Sequence, residues 1–314
     1  MKKPLIILTG PTAVGKTELS IRLAESVNGE IISADSMQVY KHMDVGTAKI
    51  TPEEMQGIRH HLIDILEPSE DFNVYLFKEL AQKAIDEIYE RGKIPVVTGG
   101  TGFYIQALLY NIDFEDTDAD TEFRETMYRL AEEKGNEYVH DMLKEVDPVS
   151  AREIHYNNIK RVVRALEYHN QTGKRISEHN EEQKQNESPY NFLYFVLNDD
   201  RDELYSRINK RVDLMFETGL TKEVDRLIDM GCHRDMTSMK AIGYREFFDY
   251  YDGIADISQV RENIKTDTRH FAKRQLTWFR REKEVTMVNV NEFNRDKDKI
   301  LDYMLKLIRE KEII

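Results

Sequence analysis

The chain has 314 residues, of which 40% are hydrophobic and 33% charged, a composition that excludes wholesale disorder. Its formal net charge of −13 argues against a general polyanion-binding protein but allows local basic surfaces. Its one cysteine, Cys232, excludes an internal disulfide and a cysteine-based zinc finger, and no apolar run has the length of a signal peptide or a membrane span. We therefore expect a cytoplasmic protein that does not enter a membrane.

The first hundred residues alternate between short apolar runs and amphipathic stretches. Residues 5–8 predict a buried strand, and residues 16–27, after a glycine-containing loop, predict a helix. Alternation of this kind is typical of parallel β-α-β units. Further strands are predicted at 30–33, 62–66 and 94–98, with helices at 74–90 and 101–110.

The pattern changes after Asn111. Residues 113–120 are acidic and irregular, and the signals in residues 121–186 are nearly all helical. The apolar run at 192–197 predicts that the chain returns to the sheet. Later helices are predicted at 208–216, 221–230, 258–278 and 300–308.

These elements predict an α/β fold of the P-loop NTPase type, with a parallel sheet and a mostly helical inserted domain. Residues 1–113 and 190–314 are the predicted core, which includes the C-terminal helices. Residues 114–189 are the predicted insertion.

The strongest motif follows the first strand and matches the phosphate-binding pattern G-x-x-x-x-G-K-[ST]. Its glycines allow backbone N–H groups to surround phosphate oxygens at a helix N-terminus, its lysine adds a positive charge, and its threonine can bind Mg²⁺. The motif comprises Gly10, Pro11, Thr12, Ala13, Val14, Gly15, Lys16 and Thr17.

This loop indicates a diphosphate or triphosphate but not a reaction. A kinase or NTPase also needs an acid at the end of an apolar strand to hold the metal. Asp64 lies inside an apolar stretch rather than at its end, and the strand at 94–98 is followed by no acid. The metal-binding residues of an NTPase are therefore poorly represented.

A second candidate group begins at Asp35, directly after the strand predicted at 30–33. In a parallel sheet its carboxylate is expected at the carboxyl edge, beside the phosphate loop, where it could take a proton from a nucleophile. Asp is equally favoured as a helix N-cap. Both interpretations stay open on the residues alone.

Seven segments, in order along nearly the whole chain, resemble the bacterial tRNA dimethylallyltransferases, also called tRNA isopentenyltransferases. Each segment other than the phosphate loop is weak alone, but the set is highly specific. The segments are residues 10–17, 35–40, 44–49, 99–104, 161–167, 241–246 and 273–280.

The resemblance implies transfer of the dimethylallyl group of dimethylallyl diphosphate to the exocyclic N6 of adenosine 37 in tRNA, just 3′ of the anticodon. It implies that the loop binds the diphosphate, that Asp35 is the base, and that Thr101 lies near the reacting groups. By the same resemblance Arg211 and Lys16 neutralise the leaving diphosphate, together with Mg²⁺ held partly by Thr17.

The resemblance also implies a tRNA-contacting set, and we expect the protein to act as a monomer. The set comprises Asp35, Ser36, Met37, Gln38, Thr101, Arg124, Ile159, Lys160, Arg161, Val162 and Val163.

Local charge favours phosphate-backbone contact in two regions. Residues 157–165 contain Lys160, Arg161 and Arg164 and no acid, and residues 261–283 contain eight Lys or Arg against three acids. Two alternative functions stay open. The first is prenylation of free AMP, for which a long helical insertion would be superfluous. The second is phosphorylation of a small molecule by a P-loop kinase.

Overall fold

The computed structural model describes residues 2–113 and 120–314, so most of the acidic stretch predicted at 113–120 lies outside the described residues. The chain divides into two compact units. One comprises Met1–Leu109 and Pro189–Ile314, and the other comprises Tyr110–Ser188.

The first unit is built on a six-stranded sheet in the order β3-β2-β4-β1-β5-β6, and every neighbouring pair is parallel. The predicted α/β fold with a parallel sheet is confirmed, including the return of the chain to the sheet beside β1. The strands are β1 (Lys3–Thr9), β2 (Gly29–Ala34), β3 (His60–His61), β4 (Ile94–Gly99), β5 (Tyr190–Asn198) and β6 (Val285–Asn289).

The helices of this unit carry apolar side chains at helical spacing toward the sheet. In the first of them, Leu19 and Leu23 are almost fully buried beside Ile6 and Leu8 of β1. The helices are α1 (Lys16–Ser26), α2 (Val74–Glu90), α3 (Gly102–Leu109), α9 (Arg201–Glu217), α10 (Leu220–Asp229), α11 (Phe247–Tyr251), α12 (Ile257–Phe279) and α13 (Lys297–Glu310).

The strand register decides which loops are neighbours. Thr9, the last residue of β1, pairs with Gly99 of β4, and Gly99 also pairs with Ala34 at the end of β2. Because parallel strands end at the same edge, the segments that begin at Gly10, Asp35 and Gly100 lie side by side.

The second unit is helical in the residues described. Its core contains Met127, Val139, Leu143 and Val162. The helices are α4 (Thr121–Lys134), α5 (Asn136–Val146), α6 (Pro148–Glu153), α7 (Ile159–Thr172) and α8 (Ile176–Gln183).

Two strand predictions differ from the structure. The strand expected at 62–66 is absent, since Leu62 and Asp64 have φ of 65° and 54°, which a strand does not allow. The short β6 was not predicted because its five residues do not alternate strictly between apolar and polar, and only Val288 is fully buried. Among the residues described, no helix is long and apolar enough to cross a bilayer.

Candidate active site

The phosphate loop connects β1 to α1 through two glycines that the backbone requires. A Cβ on Gly10 would lie 2.5 Å from the carbonyl oxygen of Leu197, so only glycine fits there. Gly15 precedes α1 with a left-handed φ of 102°, which glycine adopts without steric cost. The loop therefore ends at a helix N-terminus, as an anion site needs.

Lys16 folds back onto this loop. Its Nζ donates hydrogen bonds to the carbonyl oxygens of Gly10, at 2.9 Å, and Pro11, at 2.8 Å. Desolvation and the positive charge of Arg211 lower the pKa of Lys16 to about 7, and the negative charge of Asp35 opposes this shift. An incoming anion would restore the charged form of the lysine.

Two arginines of α9, one helical turn apart, donate hydrogen bonds to the phosphate loop. Arg211 Nη1 donates to Thr12 Oγ1 at 3.2 Å, and Arg207 Nε donates to the carbonyl of Ala13 at 2.9 Å. Arg207 also forms an ion pair of 2.7 Å with the buried Asp199. Sequence reasoning selected Arg211 but missed Arg207, although the i, i+4 spacing of the two arginines was a visible signal.

Asp35 is half-buried directly after β2. Its Oδ1 accepts hydrogen bonds from the backbone N–H groups of Met37, at 2.9 Å, and Gln38, at 3.3 Å. This geometry is an Asx turn and not the helix N-cap that the residues alone allowed, because residues 36–39 form a turn and begin no helix. The Asp35 charge also raises the pKa of Lys16 and Arg211 against the desolvation that lowers both. The carboxylate therefore both caps a turn and faces the anion site.

Thr101 lies beside the end of β2. Its backbone N–H donates to the carbonyl of Ala34, the residue before Asp35, at 3.2 Å, and its own carbonyl accepts the N–H of Tyr104 in α3. The structure thus brings four predicted residues to one edge of the sheet: Lys16, Asp35, Thr101 and Arg211.

The remaining members of the 35–38 segment are half-buried. Gln38 Nε2 donates to the carbonyls of Thr47, at 3.3 Å, and Ala48, at 3.4 Å, so this side chain ties the segment to the loop at 44–49. In that loop the buried Lys49 pairs with Asp44 and with Asp64. Asp64 is thereby engaged in an ion pair.

A buried carboxylate that sequence reasoning missed fixes the same loop. Glu223 of α10 accepts backbone N–H bonds from Asp44 (2.8 Å), Val45 (2.7 Å) and Gly46 (3.0 Å), and a hydrogen bond of 2.7 Å from the Tyr244 hydroxyl. Tyr244 lies so close that a Cβ on Gly46 would meet its ring at 2.5 Å. A glutamate in an amphipathic helix gives no sequence signal for such a role, because the partner loop is distant in the chain.

The structure separates the tRNA-contact candidates of α7 into two groups. Lys160 and Arg161 are exposed and Ile159 is half-buried, whereas Val162 and Val163 are fully buried in the core of the helical unit. The two valines therefore pack the helix that presents the cations.

Arg124, which is also a tRNA-contact candidate, and Arg164 are paired with one buried carboxylate. Arg124 binds both oxygens of Glu167, at 2.7 and 2.9 Å, and Arg164 binds the same group at 2.7 Å. Arg164 counted as unopposed within 157–165, but its partner lies one helical turn on, just beyond that window. Lys160 and Arg161 remain the exposed cations of this segment.

The basic stretch at 261–283 is also partly neutralised. Arg261 and Lys265 pair with Asp213 of α9, at 3.9 and 2.7 Å. Lys273 and Arg280 are exposed at the edge of a cleft of about 360 Å³ that Tyr205 helps to line. Phe279 is fully buried, and Trp278 is half-buried against Gly102.

Comparison with known proteins gives relatives along the whole chain. The chain is 56% identical over 312 residues to the tRNA dimethylallyltransferase of Lachnoclostridium phytofermentans, with 99% of each chain covered. It is 51% identical over 292 residues to the protein of the same name from Acetivibrio thermocellus, with 93% of each covered.

The solved structures that are similar to this chain carry names of the same kind as these relatives. The tRNA isopentenylpyrophosphate transferase of Bacillus halodurans superposes with a TM-score of 0.74 at 44% identity, covering 99% of this chain and 98% of that one. A eukaryotic dimethylallyltransferase acting on tRNA superposes with a TM-score of 0.76 at 32% identity, covering 91% of this chain and 74% of that one. A family model described as IPP transferase matches residues 38–282, and the chain belongs to this family.

Proposed function

We propose that the protein transfers the dimethylallyl group of dimethylallyl diphosphate to N6 of adenosine 37 in tRNA and releases diphosphate. One observation carries the proposal: in a member of the IPP transferase family, one sheet edge brings an anion site containing Lys16 and Arg211 together with Asp35 and Thr101. Such an enzyme works where tRNA is, so we place it in the cytoplasm.

On the donor side, the loop at 10–17 holds the diphosphate. As the allylic C–O bond breaks, negative charge grows on the leaving group. The N-terminal N–H groups of α1, Lys16 and Arg211 stabilise that charge. Removal of one such donor typically costs about 3–4 kcal/mol of activation free energy.

On the acceptor side, Asp35 receives a proton. The N6 lone pair of adenine is delocalised into the ring, so the amine is a weak nucleophile until a base removes a proton. As the C–N6 bond forms, that proton passes to the Asp35 carboxylate, and the electron pair of the broken C–O bond leaves with the diphosphate. We assign the Thr101 hydroxyl the role of orienting one of the reacting groups.

Mg²⁺ fits this site as an ion carried largely by the substrate. Thr17 is exposed at the N-terminus of α1 and would bind it through the hydroxyl, and within residues 2–113 and 120–314 no cluster of three His, Cys, Asp or Glu side chains is arranged to hold a metal. Diphosphate oxygens would supply further ligands. When bound, the ion neutralises charge on the leaving group.

The tRNA contacts follow from exposure and charge. Residues 35–38 and Thr101 surround the acceptor base, while Lys160 and Arg161 contact the phosphate backbone, on a helix held by Ile159, Val162 and Val163. Arg124 contributes by fixing Glu167 in the same unit. An anticodon loop is a suitable substrate because unstacking a base there costs only a few kcal/mol.

The test is incubation with unmodified tRNA and labelled dimethylallyl diphosphate, followed by mass spectrometry of the nucleosides. We expect N6-dimethylallyladenosine at position 37, and none in tRNA with guanosine there. Parallel reactions contain an anticodon stem-loop, AMP, or ATP alone. Preferential prenylation of AMP would identify an adenylate-specific enzyme, and ATP turnover without prenyl transfer would identify a kinase.

A further inference from the structure

The side chain of Gln275, in α12, connects two loops that the proposed reaction uses separately. Its Oε1 accepts the backbone N–H of Thr12 in the phosphate loop at 2.9 Å, and its Nε2 donates to the carbonyl of Gly100 at 2.9 Å. The residue is only 5% exposed. A buried amide with both ends bonded has one orientation available, so it fixes the distance between the two loops.

The contact with the second loop is close enough to transmit a displacement. A Cβ on Gly100 would lie 2.2 Å from Gln275 Nε2, and a Cβ on Gly102 would lie 2.2 Å from Trp278 Cδ1. Gly100 and Gly102 flank Thr101. We therefore expect a displacement of this part of α12 to displace Gly100 and Gly102, and Thr101 between them.

Hydrogen bonds and chain neighbours connect the site of the prenyl donor to the site of the acceptor base. Arg211 donates to the hydroxyl of Thr12, while Gln275 accepts the backbone N–H of Thr12. Gly100 leads to Thr101, whose N–H bonds to the carbonyl of Ala34, next to Asp35.

We propose that Gln275 is a positioning residue that sets the spacing between the donor diphosphate in the phosphate loop and the acceptor base beside Asp35 and Thr101. This inference rests on the proposed prenyl transfer. Gln275 acts through the two loops, so its loss should slow the transfer step and leave ground-state binding of either substrate nearly unchanged. A misplacement of about 1 Å costs up to roughly 100-fold in rate.

Two variants separate the bonds. Gln275→Met keeps the size and removes both hydrogen bonds. Gln275→Glu keeps the acceptor for Thr12 and, when the carboxylate is ionised, places an oxygen without a hydrogen against the Gly100 carbonyl. Thr98→Val is the matched control: it removes a hydrogen bond of 3.0 Å between the Thr98 hydroxyl of β4 and the Leu8 carbonyl of β1, without touching Thr12 or Gly100.

The measurements are kcat, the KM for dimethylallyl diphosphate, the KM for tRNA, and Tm. Both Gln275 variants should lose at least about tenfold in kcat with each KM within about threefold of wild type. Thr98→Val should lower Tm while keeping kcat within about twofold.

Wild-type kcat in the Gln275 variants, a raised donor KM at unchanged kcat, or an equal kcat loss in Thr98→Val would overturn the inference. If Gln275→Met does not fold, Gln275→Glu decides, since it keeps the side-chain size and the bond to Thr12. A wild-type protein that transfers no prenyl group would overturn the proposed function and this inference together.

Discussion

Near the phosphate loop, two positively charged side chains face one negatively charged side chain. Lys16 and Arg211 lie near each other, and Asp35 is the carboxylate that acts on the pKa of both. A dianionic ligand in the phosphate loop would relieve their repulsion, so the free site favours diphosphate electrostatically.

This arrangement predicts a pH dependence of donor binding. The pKa of Lys16 is lowered to about 7, chiefly by desolvation, so its ammonium is present below that pH and is lost as the pH rises. Above about pH 7, binding of dimethylallyl diphosphate should take up a proton, and affinity should fall by up to about tenfold per pH unit. Calorimetry in buffers of different ionisation enthalpy measures the uptake. Lys16→Met is the control, and equal pH dependence in both proteins would contradict the prediction.

Asp35 can be tested apart from its capping role. Asp35→Asn keeps an Oδ1 acceptor for the N–H groups of Met37 and Gln38 but cannot accept a proton at neutral pH. We expect it, like Asp35→Ala, to lose roughly 100-fold to 10,000-fold in transfer rate with donor binding largely retained. Single-turnover rates and equilibrium titration of the donor check this. Loss of donor binding in Asp35→Asn would assign the residue a binding role instead.

Among the secondary-structure elements, the parallel strands position the loops of the site, and three helices supply side chains that bond to those loops. α9 supplies Arg207 and Arg211, α10 supplies Glu223, and α12 supplies Gln275. Each contributes buried or half-buried polar side chains that bond to backbone groups of a loop. The loops therefore owe their conformation to helices from the C-terminal half of the chain.

Among Arg207, Arg211, Glu223 and Gln275, we expect substitution of Glu223 to lower the free energy of unfolding most. Glu223→Ala would leave three backbone N–H groups and the buried Tyr244 hydroxyl without their acceptor. Since each buried unsatisfied group costs about 1–3 kcal/mol, we expect the free energy of unfolding to fall by at least about 3 kcal/mol. Urea denaturation measures it, with the exposed neighbour Lys222→Ala as control. A loss below about 1 kcal/mol would show that the loop is held by other contacts.

Over the whole molecule, charge is distributed unevenly. The net charge is −13, yet α12 and the residues after it expose a run of cations. Lys273, Arg274 and Arg280 are exposed, whereas Arg261 and Lys265 on the same helix are paired with Asp213. A polyanion approaching the protein therefore meets its attractive potential locally.

This distribution predicts which cations affect RNA affinity. Changing Lys273, Arg274 and Arg280 together to Gln should weaken tRNA binding and reduce the slope of log affinity against log salt by roughly two units. The paired residues provide the control, as Arg261→Gln with Lys265→Gln should change the slope far less. Binding titrations at several salt concentrations measure both. Equal slopes for the triple variant and wild type would remove this face from the RNA-binding surface.

The parallel α/β fold, the phosphate loop and Asp35 as a candidate base could be predicted from the residues, because apolar periodicity, glycine spacing and a residue's place after a strand are local properties. The contacts of Glu223, Arg207 and Gln275, and the pairing of the cations, became visible in the folded chain alone. Gln275 lies 263 positions from its partner Thr12, and Glu223 lies 179 positions from Asp44. Such partners are set by how helices pack on the sheet, and no local pattern in the chain specifies that packing.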